Sequence, residues 1–437
     1  MHKYFFYICA PVNKNMEILI RSARIVDTGS PFNNQVKDIL VSNGKIKKIG
    51  SRLQNSTKAK EIKEDNLHVS IGWVDLNTSL GDPGFEQKET IESGCKAAAA
   101  GGFTHICCMP NTQPIIQTKA QVEYVLGKSA GQIVNVLPLG TVTHDTKGVD
   151  LADMYDLYNA GAVAFTDGIK PLPTAGVVER ALLYVKAFEG LIMVHPEDKS
   201  ISKNGIMHEG IVSTKLGLPG MPALAEEIAV NRDLFVLEYT GSKLHLLDVS
   251  LKKSVDLIRV AKKKKLNVTA SVNAYNLLLD VTAVGEYNTD CKVNPPLRLK
   301  EDITAIIKGI ADGTIDAISS AHQPQEEDCK KLEFDKADFG MIGLETCFAV
   351  ANTALAINLS VEQIIQLLAE NPRRILGMEP AKIEEGAHAD LTLFNPTQKW
   401  TFAEKDIRSK SKNSPFIGAD FMGKVTGIIN KGKLHLN

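Results

Sequence analysis

The sequence predicts an α/β fold, a (β/α)8 TIM barrel with a small β-sandwich domain built from both termini. Three observations carry this reading. A unit of apolar strand, loop and helix repeats eight times through the middle of the chain, over the ~250–300 residues such a barrel needs. The two ends are rich in strands instead. No glycine-rich phosphate fingerprint follows any early strand, which disfavours the alternative of a doubly wound sheet.

Residues 16–68 begin the small domain. Glu17 to Val26 and Asp38 to Val41 read as strands, and Ser42-Asn43-Gly44-Lys45 supplies an Asn-Gly hairpin turn. Residues 380–437 complete it, with strand-like Ala389 to Phe394 and Val425 to Leu436 and a turn at Lys431-Gly432. Between them, residues 69–379 hold the barrel. Its expected strands are Val69–Leu76, Thr104–Met109, Val134–Thr141, Ala162–Thr166, Leu191–His195, Leu244–Val249, Asn267–Val272 and Asp316–Ser319. Helical patterns follow at Thr90 to Ala100, Lys119 to Lys128, Val177 to Phe188 and Ser254 to Lys265.

The first 15 residues, MHKYFFYICAPVNKN, have a short apolar core broken by tyrosines and no small-x-small cleavage site. They read as a disordered or mis-assigned extension, with translation starting at Met16. No run approaches the ~20 apolar residues of a membrane span. At 44% hydrophobic and 23% charged, the composition is that of a globular protein. A net charge of -1 gives no electrostatic case for nucleic acid or an anionic membrane, and the Lys262–Lys265 run reads as a solvated helix end. The seven scattered cysteines suit reduced, buried thiols in a cytoplasmic protein.

Chemistry in a barrel sits at the C-terminal ends of the strands. Strand one ends in Asn77, Ser79 and Gly81, strand two in Met109-Pro110-Asn111-Thr112 and strand four in Thr166-Asp167-Gly168. Strand five ends in His195-Pro196-Glu197-Asp198, and strand six carries His245 and Asp248. Strand seven ends in Asn273-Ala274-Tyr275-Asn276 and strand eight in Ser320-Ala321-His322-Gln323-Pro324-Gln325. A hydrolytic metal site needs several ligands converging on its ions and a carboxylate to manage the proton of the attacking water. Here His195 with Asp167, assisted by Asp248, could hold one ion weakly. The other reading is a hydrogen-bonded polar mouth.

The chain resembles the dihydroorotases of the amidohydrolase superfamily. The matching stretches are Asp82-Pro83-Gly84-Phe85-Glu86, Lys88-Glu89-Thr90, Gly101-Gly102-Phe103-Thr104, Met109-Pro110-Asn111-Thr112 and Val293-Asn294-Pro295-Pro296-Leu297-Arg298. Gly343-Leu344-Glu345-Thr346, Asn371-Pro372-Arg373-Arg374, Ala389-Asp390-Leu391 and Asn413-Ser414-Pro415-Phe416 complete them. The likeness covers nearly the whole length from Met16 onward.

Set against that family, the resemblance implies losses. Asn77 and Ser79 fall on the His-x-His of strand one, Gly81 on the arginine that grips the substrate carboxylate, and Asp248 on a metal-binding histidine. Ala321 falls on the metal-binding aspartate that shuttles the proton, while Tyr275, Asn276 and Gln325 replace further histidines. Only His195 matches as a metal ligand; Asn111, Asn294 and Arg298 match substrate-pocket residues. The family uses zinc, whose bound water has its pKa lowered from about 15.7 to about 7. With these ligands gone, no cofactor is expected.

The resemblance thus implies a catalytically inactive relative that acts in pyrimidine biosynthesis as a partner or scaffold for aspartate carbamoyltransferase, and a homo-oligomer is compatible with it. The alternative is an active dihydroorotase, or another cyclic-amide hydrolase, with an atypical metal site. A small-molecule sensor built on the retained pocket is a third reading.

Overall fold

The computed structural model describes residues 17–56 and 58–437; the expected extension at 1–15 and the start at Met16 lie outside them. Five strands come first: β1 (Glu17–Val26), β2 (Val36–Ser42), β3 (Lys45–Gly50), β4 (Lys60–Ile62) and β5 (His68–Ile71). The hairpin from β2 to β3 turns at Asn43 and Gly44, both at positive φ (53° and 73°), the conformation an Asn-Gly pair adopts readily.

Eight parallel strands then form the barrel sheet. They are β6 (Trp73–Thr78), β7 (Phe103–Cys108), β8 (Asn135–Gly140), β9 (Ala164–Phe165) and β10 (Ile192–Val194), then, after a small separate pair β11 (Met207–His208) and β12 (Gly220–Met221), β13 (Leu244–Leu246), β14 (Val268–Asn273) and β15 (Ala317–Ser319). A bridge from Thr78 to His322 joins the first barrel strand to the segment after the last. Asp75 accepts from the Ser320 backbone (2.6 Å) and hydroxyl (2.7 Å) across the same seam. Each barrel strand leads to a helix: α1 (Ile91–Ala100), α2 (Lys119–Lys128), α3 (Met154–Ala160), α4 (Ala175–Lys186), α5 (Leu224–Thr240), α6 (Lys252–Lys263), α7 (Lys300–Ala311) and α8 (Cys347–Leu355).

Three closing strands, β16 (Leu391–Thr401), β17 (Asp420–Asn430) and β18 (Lys433–Leu436), return to the first sheet. Its order is β18-β17-β16-β5-β1-β2-β3, with β4 beside β1. The β-rich part is therefore one bonded sheet to which both ends of the sequence contribute.

One expected element divides in two. The run Val69–Leu76 spans β5, which pairs with β1 and β16, and β6, which pairs with β7. The chain changes sheets at Gly72, where a Cβ would lie 2.0 Å from Asp390 Oδ1 and 2.1 Å from Thr104 Oγ1. Both halves are buried, so hydrophobicity carries no mark of the break. An aromatic cluster holds the junction: Trp73 of β6 lies 4.8 Å from Phe348 of α8 and 5.5 Å from Phe394 of β16, centroid to centroid.

Alternate residues of the barrel strands fill its interior, among them Val74 and Leu76, Cys107 and Met109, Leu137 and Leu139. The pattern is a packed core rather than a pore. The described cysteines are free thiols, all buried except half-buried Cys329. The lysines at the end of α6 are tied down, Lys262 to Asp316 (2.6 Å) and Lys264 to Glu238 (2.9 Å). Among the described residues no helix is long and apolar enough to cross a membrane.

Candidate functional site

At the C-terminal mouth of the barrel the polar residues are bonded to one another. Asn77, closing β6, donates from Nδ2 to Asp248 Oδ1 at 2.8 Å. The other oxygen of Asp248 meets His195 Nδ1 at 2.9 Å. On the far side of that ring, Nε2 lies 3.6 Å from Glu197 Oε2. Glu197 also accepts from Asn294 Nδ2 (3.0 Å) and Lys199 Nζ (2.8 Å). A continuous chain of contacts thus joins Asn77, Asp248, His195, Glu197 and Asn294 across the mouth.

Electrostatics follow from that order. Burial alone would push the His195 imidazole down, but the Asp248 and Glu197 carboxylates outweigh it and raise it to about 9. Burial likewise pushes the Glu197 carboxyl up, and the His195 hydrogen bond and charge hold it well below the usual carboxylate range. At neutral pH an imidazolium therefore sits between two carboxylates. Tyr275 is packed beneath them, its Oη accepting from Asn273 Nδ2 at 2.9 Å, and burial, with Asp248 nearby, pushes its phenol up.

The donor set does not suit zinc. The two carboxylates face opposite nitrogens of one ring, so their lone pairs diverge rather than meet at an ion. Asn77 brings an amide to this network, and Ser79, a neutral hydroxyl, is bonded through its backbone N–H to His322 O (2.8 Å). Among the described residues no three histidines, cysteines or carboxylates are placed to hold a metal ion.

The expected pairing of His195 with Asp167 is not what the structure brings together. Both Asp167 oxygens turn to the loop after β8, accepting from the backbone N–H groups of Val142 and Thr143 (each 2.9 Å) and from the Thr143 hydroxyl (2.5 Å). A carboxylate with backbone donors two residues wide in reach is spent on that loop. Sequence spacing could not show this, because the loop comes from a different strand.

The three residues expected to line a substrate pocket are also engaged. Arg298 is buried, donating to Ser250 Oγ (2.9 Å) and Glu226 Oε2 (3.2 Å) and lying 3.2 Å from His208 Nδ1. Burial and the guanidinium lower the His208 ring to about 4, which leaves it neutral. Asn111 spans the loop after β9, donating to Asp167 O (3.0 Å) and accepting from Ile169 N–H (3.2 Å). Asn294 donates to Glu197, while its own buried Oδ1 has no protein partner. Asn276 is buried with an unpartnered Oδ1 as well.

Gly81 sits where the backbone bars any side chain. A Cβ there would lie 2.1 Å from the carbonyl oxygen of Phe85 and 2.7 Å from that of Glu89. Ala321 adopts a left-handed backbone, φ 46°. Gln325 lies outside the network, bonded to Lys88 Nζ (2.6 Å) and the Phe339 carbonyl (2.6 Å).

Two participants carry more of the site than the sequence suggested. Glu197, two residues past His195, supplies the second carboxylate on its ring. Glu89, at the start of α1, is fully buried and contacts His322 Nε2 at 3.3 Å, while accepting from the Ser409 hydroxyl and the Lys410 backbone (3.1 Å). His322 takes N–H donors from Gly343 (3.2 Å) and Leu344 (3.5 Å) on its other nitrogen. A carboxylate at a helix start reads in sequence as a dipole partner, which hid its buried role.

Comparison with known proteins agrees with this frame. A family profile described as dihydro-orotase-like matches residues 68–254. The dihydroorotase of Caldanaerobacter subterraneus subsp. tengcongensis is 41% identical over 423 residues, covering 96% of this chain and 97% of that protein. The dihydroorotase of Geotalea daltonii is 39% identical over 421 residues, covering 96% and 99%. Among solved structures, the L-hydantoinase (dihydropyrimidinase) of Arthrobacter aurescens superposes with a TM-score of 0.83 at 22% identity, over 96% of both chains. The dihydropyrimidinase of Brevibacillus agri gives 0.82 at 21%, over 97% of this chain and 95% of that one. The structural likeness establishes the barrel fold, and identity near 40% along almost the entire length establishes more: the chain belongs to the dihydroorotase family.

Proposed function

We propose that this chain is a non-catalytic member of the dihydroorotase family, kept in pyrimidine biosynthesis as an assembly partner of aspartate carbamoyltransferase. One observation carries the reading: both ring nitrogens of His195, the one residue that matches a metal ligand, face carboxylates of the protein, Asp248 and Glu197. An imidazolium has no open coordination position and lowers the pKa of no bound water. Where the resemblance puts the base and the carboxylate grip of a ring-opening reaction stand Ala321 and Gly81, and the backbone around Gly81 leaves no room for a side chain. On this reading zinc is not held at the mouth, and the barrel is kept in the cytoplasm for its surface.

The experiment has two arms on the purified full chain. Ring opening of dihydroorotate is expected at the uncatalysed rate, with less than a tenth of an equivalent of zinc by elemental analysis. Affinity capture from the native cell is expected to recover aspartate carbamoyltransferase. The rival reading, an active dihydroorotase or related cyclic-amide hydrolase with an atypical site, draws on the 41% identity to a protein named dihydroorotase. About one or two equivalents of zinc together with turnover of dihydroorotate would establish it.

A further inference from the structure

A small cavity lies outside the barrel, where α1 and α8 meet the closing strands. It holds about 70 Å³ and is partly open to solvent. Its wall includes Glu345 just before α8, Trp400 and Phe402 at the end of β16, Asp406 and Arg408 beyond them, and Lys424 of β17. A water molecule needs ~10–15 Å³ of such volume, so there is room for a handful of heavy atoms. None of the residues bonded together at the barrel mouth lines it.

One part of the wall is an apolar corner. The Trp400 and Phe402 rings stand at 90° with their centroids 5.9 Å apart. Trp400 is fixed there by Nε1, which donates to the Gly423 carbonyl at 2.9 Å.

The rest carries four charges, two of each sign, and each has bonding capacity left. Glu345 is 8% exposed and precedes Thr346, the cap of α8, where the helix dipole favours an anion. Its Oε1 accepts from the backbone N–H groups of Arg408 (3.0 Å) and Ser409 (2.9 Å). Its Oε2 is buried and has no partner among the described residues, which is costly for a carboxylate. Asp406 accepts from the Ala403 backbone through Oδ2 alone (2.9 Å). Arg408 spends only Nη1, on the carbonyls of Lys405 (2.6 Å) and Ile407 (3.4 Å). Lys424 Nζ faces the Trp400 ring, 5.2 Å from its centroid. Among the described residues none of the four joins an ion pair. Opposite charges thus line one cavity without meeting.

A lone cation or anion would be repelled by half of this wall. A calcium or magnesium ion would want about six oxygen ligands, and two carboxylates fall short of that. A ligand carrying both signs satisfies every group: its ammonium meets the acids, its carboxylate the bases, and a small side chain the aromatic corner. We infer that this cavity binds a small zwitterionic α-amino acid, ammonium toward Glu345 and Asp406, carboxylate toward Arg408 and Lys424. The site stands whether or not the barrel mouth opens a ring.

Trp400 supplies the readout. The intrinsic fluorescence of the full chain is titrated with free L-alanine, and in parallel with ethylammonium chloride and sodium propionate, which each carry one of its charges. L-Alanine is expected to saturate with a dissociation constant on the order of 1 mM, in keeping with so few atoms. Neither half is expected to saturate below ~10 times that concentration. Glu345→Gln keeps an oxygen for the Arg408 and Ser409 N–H groups and is expected to weaken binding ~10-fold or more, the loss of a buried charge-assisted contact. Lys424→Met keeps the packing on Trp400 and is expected to weaken it ~3-fold or more, so the second charge is tested where the fold is not at stake. Unaltered far-ultraviolet spectra exclude misfolding of either variant. An unsaturable response to L-alanine, an equal response to ethylammonium or propionate, or saturation indifferent to either substitution would overturn the inference.

Discussion

His195 and Asp248 form a buried ion pair, Nδ1 to Oδ2 at 2.9 Å, at the place where the family resemblance puts two metal ligands. Both side chains are almost wholly buried, at 4% and 7% exposure, so the pair is shielded from the screening that weakens surface contacts.

The pair sets a pH window. The folded imidazole titrates at about 9, above its unfolded value of ~6.5. Its contribution is therefore complete below pH ~6.5 and is lost as pH rises through 9. Glu197 is held below its unfolded value, so its contribution is present above pH ~4.3 and is lost as pH falls. Urea unfolding against pH is expected to show greatest stability between about pH 5 and 6.5 and a fall of up to ~3 kcal/mol toward pH 9. His195→Gln should remove most of the alkaline fall; a profile equally steep in that variant would refute the assignment.

Gly81 is expected to reject even a methyl group. Its Cβ position lies 2.1 Å from the Phe85 carbonyl oxygen, so Gly81→Ala should lose about 1–3 kcal/mol through forced backbone movement. Unfolding free energies of the two proteins decide it. A neutral Gly81→Ala would mean that the missing arginine could simply be put back.

Ala321 should respond in the opposite sense. Its left-handed backbone costs an alanine roughly 1–2 kcal/mol, whereas asparagine visits that region readily. Ala321→Asn is expected to gain up to ~1 kcal/mol, read as a higher denaturant midpoint at constant slope.

Arg298 is expected to matter for stability rather than for ligand affinity. Removing it leaves Glu226 charged and buried, a loss of about 3–5 kcal/mol for Arg298→Met. Thermal shift with dihydroorotate supplies the contrast: a marked rise in the parent protein that vanishes in Arg298→Met would show that the guanidinium still meets a ligand.

The barrel rhythm, the strand positions and the Asn43-Gly44 hairpin were legible because each depends on local pattern. Lys119–Lys128 matches its helix end for end. The change of sheets at Gly72 was not, since it rests on Asp390 and Thr104, far away in sequence. Helix α5 escaped detection because apolar residues on both its faces erase the periodicity that marks a barrel helix. The site was half legible. Identity alone exposes an asparagine where a histidine is expected, but not that it would bond Asp248, nor that Asp167 would turn away to Thr143.

Glu89 has a consequence for how the molecule is made. This carboxylate, fully buried beside Ser93 and His322, takes two of its hydrogen bonds from Ser409 and Lys410, residues from the last tenth of the chain. The rim of the barrel therefore stays unfinished while the ribosome is still adding the closing strands. A nascent chain halted after α8 would hold this buried acid on Ser93 and His322 alone, short of its two late partners, and truncation there should yield a swollen, protease-sensitive barrel rather than a free-standing one.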